Sequence, residues 1–169
     1  GLLEELALRV VGHQVVEEVQ RVRPLLEPQV RLADEEQRVV DEIEQALAVA
    51  GDKDVYFKDD TLTLFDVDWF VRLRDELRSR DIHIRWQANS RVDMVTREKL
   101  EVMRDSGCVQ IGFGVESGSP DVLRFYNKRA DTEDAERACR WCHELGILPH
   151  AFLMLGAPAE SVDSVAVQQ

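Results

Sequence analysis

The stretch Val109-Gln110-Ile111-Gly112-Phe113-Gly114-Val115, followed at once by Glu116-Ser117, decides the fold of this chain. Its apolar and aromatic residues predict a buried strand. Its glycines would let a ligand approach the backbone closely. A carboxylate at the end of such a strand is costly unless it is paired or bound to something. Glu116, with Ser117 beside it, is therefore a candidate ligand-binding residue.

Strands and helices alternate on both sides of this stretch. Strands are predicted over 55–58, 82–86, 109–115 and 148–155, and helices after the caps Asp34, Asp66 and Thr96 and over 120–126 and 132–145. Such alternation is typical of right-handed βα units around a parallel sheet. It predicts an α/β fold, a partial TIM-like βα barrel of about four parallel strands with outer helices. Residues 34–169 form this domain, and residues 1–33 are expected to be a helical segment, with one helix to about Arg23.

Polar residues follow the first three strands at the edge where βα barrels and open α/β sheets bind ligands. They are Asp59 and Asp60, then Gln87 and Asn89, then Glu116 and Ser117. Other interpretations stay open, because an Asp pair also caps turns and Arg91 could simply pair with Asp93. Lys128 could be a solvated side chain beside Arg129.

The composition excludes several partners. The 33 acidic residues outnumber the 21 basic ones, for a formal charge of -12, which argues against nucleic acid and anionic membrane surfaces. No apolar run approaches the roughly 20 residues that span a bilayer. The Glu-rich first residues do not resemble a signal peptide. A small-molecule ligand and a cytoplasmic location are expected.

The chain has three cysteines, too few for a disulfide framework. Residues 139–143 spell C-x-x-C-H, the haem c attachment signature. However, Ala135, Ala138, Cys139, Cys142 and Leu145 share one helical face, which favours buried, inert thiols. Zinc would need a second ligand pair. Core packing is also expected for Cys108, so no metal ligand is predicted.

Six segments, in unbroken order, resemble the core of radical S-adenosylmethionine (SAM) enzymes. They are YFKDDTLT (56–63), WQANSRVD (86–93), GC (107–108), GFGVESGS (112–119), NK (127–128) and FLMLGAPAES (152–161). The resemblance covers residues 34–163 and is strongest to the group with cobalamin-binding and methylthio-transferring members. It implies a partial βα barrel that binds SAM across the carboxyl ends of its strands. It also implies a 4Fe-4S cluster that cleaves SAM reductively, and cobalamin in some members.

The resemblance also implies roles for the candidate residues. Asp59 and Asp60 would contact the ammonium group of SAM, Gln87, Arg91 and Lys128 the region of its carboxylate, and Glu116 and Ser117 the ribose hydroxyls or the ammonium. No residue is assigned a catalytic role.

The family holds its cluster with a C-x-x-x-C-x-x-C loop, which should lie just before Asp34, but residues 1–33 contain no cysteine. Two hypotheses follow. The chain is the SAM-binding part of an enzyme, inactive alone, whose cysteines were lost by truncation or an altered reading frame. Alternatively, it is a family-derived binding or interaction domain without radical chemistry. Open sheet edges and an apolar inner face would further predict a homo-oligomer, a missing partner segment or poor solubility.

Overall fold

One five-stranded sheet, with its strands in chain order, organises the structure. This computed structural model describes residues 7–10, 35–51, 53–58, 61–126 and 132–156. The strands are β1 (Ala7–Val10), β2 (Asp54–Lys58), β3 (Arg85–Ser90), β4 (Cys108–Glu116) and β5 (Leu148–Leu153). Strands β2 to β5 run parallel, whereas β1 is antiparallel to β2. The predicted four parallel strands are confirmed.

Helices precede and connect the parallel strands. They are α1 (Glu35–Ala50), α2 (Val67–Ser79), α3 (Arg97–Asp105), α4 (Pro120–Phe125) and α5 (Thr132–Glu144). Two short 3₁₀ turns follow strands: Leu62–Leu64 lies after β2 and Val92–Met94 lies after β3. This alternation is the α/β pattern expected of a partial βα barrel.

Strand β1 corrects the expectation for the N-terminal segment. A helix was expected up to about Arg23, yet residues Ala7–Val10 form a strand whose register pairs Ala7 with Lys58. Without it, that edge of β2 would present unpaired N–H and C=O groups. The hydrogen bonds of the sheet therefore outweigh the helical pattern here. The other residues of 1–34 lie outside the described part of the chain.

The helices begin and end largely where the sequence predicts. The Asp66 carboxylate accepts a hydrogen bond from the Trp69 N–H at 2.8 Å, and the Thr96 hydroxyl oxygen accepts one from the Lys99 N–H at 3.2 Å. Both are N-caps, which satisfy donors that the first turn leaves free. Gly51 ends α1 at φ 66°, a left-handed conformation that glycine adopts without strain. The predicted cap Asp34 is outside the described residues.

Strand β3 starts later than predicted. The sequence suggested a strand over 82–86, but β3 spans Arg85–Ser90. Ile82 is still tied to the end of α2, since its N–H donates to the Leu77 carbonyl at 2.9 Å. Parallel pairing with β2 begins only at Arg85. Gln87 and Asn89 are therefore inside the strand rather than beyond its end.

The described helices cover one face of the sheet. Helices α1, α2, α3 and α5 pack side by side in that order. Beneath them the strands contribute alternate buried side chains, as the two-residue period of a strand requires. These are Val55 and Phe57 of β2, Trp86 and Ala88 of β3, and Ile111 and Phe113 of β4. The intervening residues of each strand point to the opposite face, which is called the open face below.

Trp86 lies at the centre of this core. Its side chain is fully buried, packs edge-on to Phe57 at 5.2 Å between ring centroids, and stacks with Phe70 at 6.5 Å. Its indole N–H donates to the Ser106 carbonyl at 3.1 Å. The neighbouring Gly107 has no room for a side chain, because a Cβ would lie 2.2 Å from the Ile84 carbonyl oxygen.

Truncating a leucine under the helix layer should destabilise the fold strongly. Leu73→Ala removes a side chain with 0% exposure, so we expect a loss of about 2–5 kcal/mol in the free energy of unfolding. Leu155→Ala makes the same chemical change at 71% exposure and should cost under about 0.5 kcal/mol. Urea unfolding followed by circular dichroism measures both. Equal losses in the two variants would contradict this core.

Candidate functional site at the carboxyl ends of the strands

The open face is mostly polar, which corrects the expected apolar inner face. Its described members on β2 to β5 include Tyr56, Gln87, Asn89, Gln110, Gly112, Gly114, Glu116, Leu148, His150 and Phe152, as strand alternation and register show. Rows of partners run across the sheet, for example Asn89, Gly112 and His150. A face with this composition suits a polar ligand better than an apolar core.

Glu116 has the most unusual backbone of the candidate residues. It ends β4 at φ 70°, a left-handed conformation that is rare and unfavourable for a residue with a side chain. Its carboxylate folds back over the open face, since a Cβ at Gly114 would lie 3.3 Å from Oε1 of Glu116. Its carbonyl oxygen accepts a hydrogen bond from the Met154 N–H at 2.8 Å. The ends of β4 and β5 are thereby joined beside the carboxylate.

Gly112 is required by its neighbours on the open face. A Cβ at this position would lie 2.6 Å from Cε2 of Phe152 and 2.7 Å from Oδ1 of Asn89. Phe152 also packs edge-on to His150, with ring centroids 5.1 Å apart. The missing side chain thus lets an aromatic ring and an amide reach the backbone of β4. Asn89 is among the strand-end polar residues named above but was given no contact with a ligand, and His150 was not predicted.

Gln87 and Arg91 are placed differently by the structure. Gln87 is half-buried on the open face, between Tyr56 and Gln110 in register. Arg91 follows β3 and directs its guanidinium to Asp93, with Nε to Oδ1 at 3.0 Å and Nη2 to Oδ2 at 2.5 Å. Both sides of the Arg91 fork are therefore engaged within the chain. A ligand carboxylate would have to replace Asp93.

Ser117 is fully buried directly after Glu116. Its hydroxyl oxygen accepts a hydrogen bond from the Ser119 N–H at 3.0 Å, which shapes the turn that leads into α4. Ser117 therefore supports the backbone around Glu116. The predicted site residues Asp59, Asp60 and Lys128 lie outside the described residues.

A buried polar cluster lies where β2 and β3 lead into the helix layer. The Lys99 ammonium donates to the carbonyl oxygens of Thr63, at 2.9 Å, and Met94, at 3.1 Å. The hydroxyls of Thr63 and Ser90 are 2.6 Å apart, and the Ser90 hydroxyl donates to the Arg91 carbonyl at 2.9 Å. Burial lowers the pKa of Lys99, partly offset by the charge of Asp66. The sequence carried no signal that marked Lys99 among the surface lysines.

The cysteines do not form a cofactor site. Cys108 and Cys142 are buried in the core, and burial raises the pKa of Cys142 to about 12 and that of Cys108 further. Buried thiols with raised pKa values are poor nucleophiles and poor metal ligands, and Cys139, on the same helix as Cys142, is half-buried. The C-x-x-C-H stretch is thus core packing, as the helical face indicated. Across the described ranges, no three His, Cys, Asp or Glu side chains are grouped to hold a metal ion.

Four parallel strands with one helix layer define a partial βα-barrel fold, in which ligands generally bind at the carboxyl ends of the strands. The chain belongs to the Radical SAM superfamily, which matches residues 28–167. Among its relatives is an uncharacterized methyltransferase of Pyrococcus horikoshii, 29% identical over 132 residues, which cover 76% of this chain and 28% of that protein. No helix in the described ranges is long and apolar enough to cross a membrane.

Solved structures share the fold. The radical SAM methyltransferase TsrM from Kitasatospora setae, with cobalamin and a 4Fe-4S cluster bound, has a TM-score of 0.67 at 22% identity, covering 77% of this chain and 27% of its own. A second TsrM structure, with tryptophan and a SAM analogue bound, has a TM-score of 0.65 at 25% identity, covering 77% and 26%. The cobalamin-dependent enzyme OxsB has a TM-score of 0.68 at 19% identity, covering 78% and 21%.

This chain therefore corresponds to about a quarter of the length of these proteins, between 21% and 28% of each.

The strained backbone conformation of Glu116 can be tested by comparing two substitutions. Glu116→Ala and Glu116→Gly both remove the carboxylate, but only glycine adopts φ 70° without a clash. We expect the glycine variant to be the more stable of the two by about 1 kcal/mol. Parallel urea titrations measure the difference. An alanine variant as stable as the glycine variant would mean that residue 116 does not hold this conformation in solution.

Proposed function

We propose that this chain is the SAM-binding part of a radical SAM enzyme, whose full-length form cleaves SAM reductively with a 4Fe-4S cluster. The observation that carries the proposal is Glu116, held in an unfavourable backbone conformation with its carboxylate over the glycine-rich strand β4. Strain of this kind is concentrated at functional sites in proteins. Membership of the superfamily supplies the chemical class of the ligand.

The polar groups of SAM match what the site offers. The ammonium and the ribose diol need acceptors, and the carboxylate needs a cation or amide donors. Glu116 would accept from the ribose hydroxyls or the ammonium. Gln87 on the open face would donate to the carboxylate, and Arg91 would contact it by exchanging Asp93 for the ligand. Asp59 and Asp60 would contact the ammonium and Lys128 the carboxylate, as the family resemblance implies.

The glycines of β4 favour close contact with a flat group. Gly114 is half-buried and leaves room on the open face, whereas Gly112 is buried beneath the ring of Phe152 and the amide of Asn89. The aromatic ring of Phe152, which lies over β4, could stack against a purine. We therefore propose that the adenine of SAM lies against β4 and β5, with Phe152 moving or stacking as the ligand enters.

The residues of this sequence do not fit a 4Fe-4S cluster. Such a cluster supplies the electron that cleaves the sulfonium, and it needs thiolates. Two of the three cysteines are buried with raised pKa values, and residues 1–33 contain none. We propose that the chain by itself performs no radical chemistry. Cobalamin, which TsrM and OxsB bind, is proposed only for a full-length protein.

A second function stays in consideration because the cluster cysteines are missing. The chain would then be a binding or interaction domain that keeps the fold and the SAM site without radical chemistry. Both functions share the same SAM-binding residues. They differ in whether the protein of which this chain is a part holds a cluster.

Calorimetric titration with SAM tests the site. Glu116→Gln keeps the shape of the side chain and removes its charge, so we expect the dissociation constant to rise about tenfold, the size of one lost charged hydrogen bond. Glu101→Gln is the matched control, since Glu101 is exposed on α3 and pairs with Arg97. The control should bind as the wild type does. No measurable binding by the wild-type chain would contradict the proposed site.

Anaerobic iron–sulfur reconstitution tests the missing cluster. With its thiols in the core, the folded chain should take up far less than one cluster per molecule, measured by iron content and absorbance. A Cys108→Ser and Cys142→Ser double variant should behave in the same way if it folds. A full complement of 4Fe-4S cluster in the wild-type chain would falsify the claim of inactivity.

A further inference from the structure

Lys99 is buried at 9% exposure, although it is a lysine in the first turn of α3. A buried ammonium is costly unless its donors are satisfied. Here the satisfying acceptors are two backbone carbonyls, those of Thr63 and Met94. A hydrophobic side chain would avoid the cost of burial. We therefore ask which parts of the structure the Lys99 ammonium holds together.

The two carbonyls belong to the two 3₁₀ turns. Thr63 lies in Leu62–Leu64, which follows β2, and Met94 lies in Val92–Met94, which follows β3. One ammonium thus links both turns to α3. The link is doubled by the hydroxyl pair of Thr63 and Ser90, and Ser90 in turn donates to the Arg91 carbonyl.

These turns adjoin the proposed SAM contacts. Arg91 immediately precedes the second turn in sequence, and Asp59 and Asp60 are three and two positions before the first. The Arg91 carbonyl accepts a hydrogen bond from the Ser90 hydroxyl, so the backbone of Arg91 contacts the buried polar group formed by Lys99, Thr63 and Ser90. Moving the second turn would change where Arg91 can meet a ligand, and a hydrogen bond lengthened by about 1 Å is lost.

We propose that Lys99 is a positioning residue of the SAM site. Its ammonium, together with the Thr63–Ser90 hydroxyl pair, holds the turns after β2 and β3 in the single arrangement that presents their side chains to SAM. Lys99 itself does not touch the ligand. This inference rests on the proposed function for its ligand, but its effect on the two turns can be measured without one.

Three variants separate this role from simple core stability. Lys99→Met keeps an unbranched stem and removes the ammonium, and Ser90→Ala removes the second link. Lys53→Met is the matched control, because Lys53 is exposed and directly precedes β2, at the opposite end of the sheet from the site. Each variant is studied by hydrogen exchange without ligand, by urea unfolding and by calorimetry with SAM.

The informative amides are those that close the turns. They are Leu64, Phe65 and Met94, whose N–H groups donate to Thr61, Leu62 and Arg91. In Lys99→Met we expect them to exchange at least about tenfold faster, beyond any change shared with the α1 amides. The SAM dissociation constant should rise about tenfold as well. Lys53→Met should leave the exchange of these amides and the dissociation constant within about twofold of the wild type.

Each outcome has a definite meaning. If Lys99→Met lowers stability but the turn amides change only in step with α1, Lys99 is a core anchor and the inference is wrong. If exchange rises but SAM binding is unchanged, the turns do not position the ligand and the inference is also wrong. If the wild type does not bind SAM, the proposed function fails, and the inference fails with it as a statement about SAM, whatever the exchange shows. If Lys99→Met does not fold, Ser90→Ala is judged by the same criteria.

Discussion

The packing of Trp86 is the interaction on which the described structure depends most. One side chain contacts the rings of Phe57 on β2 and Phe70 on α2, and hydrogen-bonds to Ser106 at the end of α3. It therefore fixes two strands and two helices relative to one another. A large aromatic side chain contributes through buried area and through ring geometry. Gly107 lies beside Trp86, and a Cβ at this glycine would lie 2.2 Å from the carbonyl oxygen of Ile84, which precedes β3.

A helix layer on one face leaves the other face of the sheet free of the described helices, where the proposed ligand would bind. The alternation of strand residues separates the two tasks, since neighbours in sequence point to opposite sides. Phe113 is in the core, whereas the glycines on either side of it keep the open face shallow. Glu116 is the last residue of β4, and its side chain lies on the open face rather than in the core. Its left-handed backbone is stable only because the surrounding strands and turns over-determine it.

The sequence predicted the features that depend on local signals. The caps Asp66 and Thr96 and the helix-ending glycines are readable because their hydrogen bonds involve residues only a few positions away. The predicted start of β3 was wrong. Ile82 and Ile84 alternate like strand residues, but the Ile82 N–H donates a hydrogen bond to the end of α2. Strand β1 was missed because pairing with β2 depends on the free edge of a distant strand. The sequence could not show that Lys99 is buried, since its burial depends on two turns that are far apart in the sequence.

Gln87 and Glu116, which are proposed to bind SAM, lie on the opposite side of the sheet from the cysteine thiols in this chain. SAM recognition needs acceptors and donors at strand ends, and the strand ends of β3 and β4 carry them on the open face. Cluster binding needs three accessible thiolates, and the buried thiols of this chain are on the helix side, where their pKa values are raised. Glu116 lies on the open face, whereas Cys142 lies on the face of α5 that packs into the core behind the sheet. Under the proposed function, a cluster beside SAM would therefore need ligands other than these buried thiols.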